Sequence, residues 1–136
     1  MPITYAISSD GRFIRASATG VIRAPDLQAL VESLLADPGL VPGMRGLYDS
    51  RYGEPEITIL ELAEVANRVR AIMDRGLERI AIVAESQTTY RVAKTFSVLA
   101  RALGIDVDVF LDLDAAEAWL TDGTDAADSD EKRLPR

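Results

Sequence analysis

Apolar residues recur along this chain with two periods, close to two residues in some stretches and close to 3.6 in others, and each change of period marks a new element. ITYAI puts Ile3, Tyr5 and Ile7 on one face, Asp10-Gly11 supplies a turn, and FIRASATGVI resumes as a second strand. The first two strands are therefore predicted to pair as an antiparallel hairpin. Pro25 stands at a first helical position, and Leu27, Leu30, Val31, Leu34 and Leu35 follow at helical spacing until DPGLVPG stops the run. GLY within RGLYDS reads as a short third strand. Thr58 and Glu61 form a capping box, T-x-x-E, with Ile57 and Leu62 at the staple positions, so a second helix is predicted to start at Thr58. Its buried stripe is Leu62, Val65, Ala66, Val69, Ile72 and Met73. Glu64 and Arg68 are expected to pair across one turn, and Gly76 suits the position just past the helix end.

IAIVA, residues 80–84, is apolar throughout and predicts a strand covered on both faces. Ser86 caps a third predicted helix with Val92, Phe96, Leu99 and Leu103 inward and Gly104 at its end. VDVF is the fifth strand, and DLDAAEAWL a closing helix anchored by Leu113, Ala116 and Leu120, with Trp119 packed on the sheet. The order β-β-α-β-α-β-α-β-α predicts a single-domain α/β fold over residues 1–121, a five-stranded mixed sheet parallel except at its N-terminal hairpin, with four helices. Residues 122–136 hold five acids and three bases and offer almost nothing to bury, so an acidic disordered tail is expected there. In parallel sheets ligands gather at the carboxyl ends of the strands. Those ends are predicted at Asp49, Ser50, Arg51 and Tyr52, at Glu85 to Arg91, and at Leu111 and Asp112.

Composition changes the picture mainly by exclusion. The chain of 136 residues contains no histidine and no cysteine, which removes Ser-His-Asp and Cys-His nucleophilic arrangements and imidazole or thiolate metal sites. No GxGxxG or GxxxxGK[ST] follows a predicted strand, so neither a dinucleotide nor a P-loop site is expected. Carboxylates remain as candidate chemistry. Asp106 and Asp108 alternate with Val107 and Val109, and read as the solvent side of an edge strand rather than a metal pair. No catalytic residue, metal or cofactor is assigned, and the chain is expected not to be an enzyme. A net charge of −7 argues against nucleic acid as a partner. No apolar run approaches the roughly 18–20 residues of a membrane span, and MPITYAISSDGR lacks the pattern of a secretory signal, so a cytoplasmic protein without membrane association is expected.

The hairpin, GVIRAPDL with Gly20 entering the first helix, LYDSR, the long second helix, RIAIVAES and the closing EAWL together resemble SpoIIAA-like proteins of the STAS domain superfamily over about residues 1–121. The resemblance implies a small domain that works by binding. Studied relatives are anti-sigma factor antagonists, switched by phosphorylation of a Ser within Asp-Ser-Ser-Gly or Asp-Ser-Thr-Gly, and this branch shades toward CRAL-TRIO lipid-transfer folds with apolar pockets. Here Asp49 and Ser50 match that motif while Arg51 and Tyr52 replace its last two residues. Ser50 is thus the candidate phosphorylation position, set by the Thr58 cap in a loop and not at a helix N-terminus. The plain reading of the Asp-Ser pair is a turn former. Arg51 and Tyr52, with Ser86, Tyr90 and Arg91 at the third helix entrance, form a candidate polar rim for an anionic or amphipathic ligand. The preferred expectation is a regulatory module that binds a protein partner or a second copy of itself as a homodimer. The alternative is a carrier holding a small apolar, lipid-like or anionic molecule between the sheet and the second helix.

Overall fold

The structure is a computed structural model that describes residues 2–122. Its elements run β1 (Ile3–Ile7), β2 (Phe13–Ile22), α1 (Ala24–Ala36), β3 (Arg45–Pro55), α2 (Ile59–Asp74), β4 (Ile80–Val83), α3 (Gln87–Ala102), β5 (Val107–Phe110) and α4 (Leu113–Asp122). Among the described residues this is the five-stranded mixed sheet with four helices that the hydrophobic pattern predicts, β1 and β2 antiparallel and every other neighbour parallel. The expected tail lies outside the described residues, except that α4 closes at Asp122.

Spatial order equals chain order, β1-β2-β3-β4-β5. With each parallel crossover stepping the same way and sharing one hand, α1, α2 and α3 must all lie on one face. Residues of that face, among them Ile14, Val31, Val65, Val69, Ile82 and Ala93, make the main core. The other face is covered by α4, whose Ala116 and Leu120 pack on Leu47, Ala81 and Val83. Arg79, buried beneath Trp119, fixes this helix: its guanidinium lies 4.3 Å from the indole centroid and donates to the Trp119 carbonyl. A monotonic strand order has no point where the winding reverses, so the crevice that such a point opens is missing. Space for a ligand has to arise elsewhere.

Helix starts follow local chemistry closely. Thr58 accepts from Glu61 N at 3.2 Å while the Glu61 carboxylate accepts from Thr58 N at 2.9 Å, the reciprocal box the sequence predicts. Two details differ from expectation. Arg68 reaches across to Glu32 on α1 at 2.9 Å instead of pairing with Glu64, because the side-by-side packing of α1 and α2 offers a partner that local spacing cannot reveal. In α3 the buried line is Thr89, Ala93, Ser97 and Ala100, with Val92, Phe96, Leu99 and Leu103 half-buried along its flanks. Small residues face the sheet here, which lets the helix approach closely. At the β5 edge Asp106 pairs with Arg79 and Asp108 with Arg101, each at 3.1 Å, and no acidic cluster among the described residues is placed to hold a metal ion. No described helix is long and apolar enough to cross a membrane.

Candidate functional site

The third strand is much longer than its apolar core suggests. The expectation that Asp49 to Tyr52 form a loop after a short strand is corrected: all four lie inside β3, which runs to Pro55. The cause is the ten-residue β2, whose ladder templates β3 along its whole length while β4 pairs only with Gly46 to Asp49. Within that ladder Ser17 faces Asp49 and Thr19 faces Tyr52, so Ser50 and Arg51 together oppose Ala18 as a bulge. The Asp49 carboxylate holds the bulge. It accepts from Arg51 N at 3.1 Å and from the Arg51 guanidinium at 2.9 and 2.8 Å. The hydrogen bond from Arg51 holds the Asp49 carboxyl below the usual carboxylate range against an opposing effect of burial, and Asp49 in turn raises Arg51.

The predicted site residues separate onto two sides of the sheet. Asp49 follows Leu47 on the α4 side, and Arg51 folds back onto it with its guanidinium 5.3 Å from the ring of Tyr52, which is 64% exposed. Ser50 points the other way. It is 6% exposed and its hydroxyl donates to the Val83 carbonyl at 2.6 Å, so it lies in a strand wall, neither in a loop nor at a helix start. Ser86 caps α3, accepting from Thr89 N at 3.1 Å and donating to Thr89 Oγ1, which donates onward to the Gly53 carbonyl at 3.2 Å. Tyr90 is half-buried against the main core with the Lys94 ammonium over its ring, and Arg91 is exposed.

What the sequence reading missed in detail is the space behind Ser50. Between the sheet and α1, α2 and α3 lies a cavity of about 150 Å³, the size at which a dry apolar cavity accepts benzene. Ile14, Tyr48, Ser50, Val65, Ala93 and Phe96 are among its lining residues. The signal was available in hindsight: Ala16, Gly46, Gly53 and Ala93 also line it, and small residues at facing inward positions leave volume unfilled. No charged residue is among the described residues lining it. Its hydroxyl groups are those of Ser50, Thr89 and Tyr48, and the first two are spent on the Val83 and Gly53 carbonyls. Burial first, and the Asp26 carboxylate second, push the Tyr48 phenol well above its ordinary range.

A family model described as SpoIIAA-like matches residues 13–121, from β2 through most of α4. Among solved structures, the crystal structure of an uncharacterized protein of the DUF3478 family with a SpoIIAA-like fold, from Shewanella loihica PV-4, is similar at a TM-score of 0.57 and 21% identity, covering 87% of this chain and 93% of that one. No curated protein matches. At this identity the likeness speaks for the fold alone.

Proposed function

Because the chain belongs to the SpoIIAA-like family, we propose that it works by binding without catalysis, and that the molecule bound is small, mainly apolar and held between the sheet and α1–α3. The observation that carries this reading is the cavity of about 150 Å³. Protein interiors pack to crystal density, and side chains that line an unfilled space forgo dispersion contacts on that side, which is a cost to the fold. An apolar occupant recovers part of that cost through dispersion contacts. The absence of histidine and cysteine, with the Ser50 and Thr89 hydroxyls already committed, leaves no nucleophile–base pair for chemistry on that occupant. Titration with toluene followed by residue-resolved NMR tests the reading. Shifts centred on Ile14, Val65, Ala93 and Phe96 are expected, and their absence at millimolar toluene overturns it.

A second reading, a protein-interaction module working through the β3 bulge, is supported by Tyr52, exposed beside an Arg51 that is clamped by Asp49. Tyr and Arg are residues that dominate interface energetics, and prior rigidity lowers the entropy lost on docking. Self-association of the wild type in sedimentation, abolished by Tyr52→Ala with toluene binding unchanged, is the result that favours this reading.

A further inference from the structure

Tyr48 is the one cavity-lining side chain among those described that brings a polar head without a hydrogen-bond partner. Ser50 and Thr89 donate to main-chain carbonyls, whereas the Tyr48 hydroxyl makes no hydrogen bond to any described residue. Every fully buried polar side-chain atom among the described residues has a partner. The unpartnered Tyr48 oxygen therefore keeps accessible surface, and its ring lies in the wall of an apolar space. A tyrosine in such a wall meets a ligand with a rigid apolar body and one polar tip.

We infer that the occupant is an uncharged molecule of about the size of a substituted benzene, carrying one hydrogen-bonding oxygen or nitrogen that pairs with the Tyr48 hydroxyl. This deepens the binding reading above and rests on it. Charge is excluded by the wall itself. No Arg, Lys, Asp or Glu is among the described lining residues, so a charge inside would have no ion partner in the wall, and an unpaired charge taken from water is heavily penalised. Of the anionic and apolar ligands expected from the sequence, the geometry thus points to the apolar class. The phenol stays protonated at neutral pH, so it is available as a donor to a carbonyl, hydroxyl or ring nitrogen. The nearby Asp26 carboxylate further disfavours a carboxylate head at that end.

Four probes of nearly equal size separate these statements: toluene, benzyl alcohol, benzaldehyde and benzoate, titrated by NMR into the wild type and Tyr48→Phe, with thermal denaturation confirming that both are folded. A net neutral hydrogen bond predicts that benzaldehyde and benzyl alcohol bind the wild type about 3- to 10-fold more tightly than toluene. Tyr48→Phe should erase that preference and leave toluene binding intact, and benzoate should bind neither protein. Equal binding of toluene and benzaldehyde to both proteins overturns the Tyr48 anchor while the cavity reading stands. Benzoate binding as tight as benzaldehyde overturns the requirement for an uncharged ligand. Failure of all four probes removes the cavity reading together with the anchor.

Discussion

The two sides of β3 solve opposite problems with adjacent residues. Toward α4, Leu47 is packed and Asp49 is neutralised by Arg51, so each group has its partner within the fold. Toward α1–α3, Tyr48 and Ser50 stand in the wall of unfilled space, one hydroxyl satisfied and the other open. The difference arises from how each face is covered. On the α4 side a single short helix covers part of the sheet, and polar residues beyond its reach can pair with one another. On the other side three helices bridge a twisted sheet, and their spacing is set by side chains some distance away, so small residues at the centre leave a gap. Polarity and completeness have traded places: the more polar side pairs its buried carboxylate within the fold, while the apolar side is incompletely packed.

The largest expected effect comes from forcing the character of one side onto the other. Ser50→Asp puts an unpaired carboxylate against the Val83 carbonyl in an apolar wall and should cost about 3–5 kcal/mol, read as a fall in the urea midpoint, whereas Ser50→Ala should cost about 1–3 kcal/mol. A Ser50→Asp protein as stable as the wild type would mean that this side yields to polar groups and that the contrast is false. Next in size, Ala93→Leu adds apolar volume inside the cavity, and stabilisation by about 0.5–2 kcal/mol with loss of the toluene-induced NMR shifts is expected. Destabilisation by that substitution would show that the space is already shaped too tightly to take it.

The smallest effect belongs to the paired side. Asp49→Asn keeps the acceptor for Arg51 N but loses the ion pair, and should cost below about 1 kcal/mol at neutral pH. Because the Asp49 carboxyl titrates below its unfolded value, its contribution is present at neutral pH and is lost as pH falls toward the folded value. Thermal midpoints of the wild type should therefore drop more steeply than those of Asp49→Asn between roughly pH 5 and pH 2. Parallel acid limbs would place the stabilising role of Asp49 in its main-chain bond alone.

Elements whose signals are local were legible in the sequence. The Thr58–Glu61 box and the Ser86 cap stand where the residues foretold, because a helix terminus is satisfied by side chains three residues away. Gly76 was readable as a helix stop, and it adopts φ 108°. Its second reason was not readable: a Cβ there would lie 2.4 Å from the Pro42 Cα, contributed by a distant loop. The candidate site was legible only as a neighbourhood. Asp49 to Tyr52 were named, but their division between two faces depends on a bulge, and a bulge is a mismatch between two strands that neither strand displays by itself.

By itself the sequence determined the order and type of the elements, the antiparallel start and the parallel remainder of the sheet, since periodicity, caps and crossover handedness act within or between neighbouring segments. Only the tertiary structure decided how far β3 extends, which partner Arg68 takes, which side of the sheet each polar residue serves, and that Tyr48 stands beside empty volume. Volume is a property of residues brought together from three strands and three helices, and it has no counterpart along the chain.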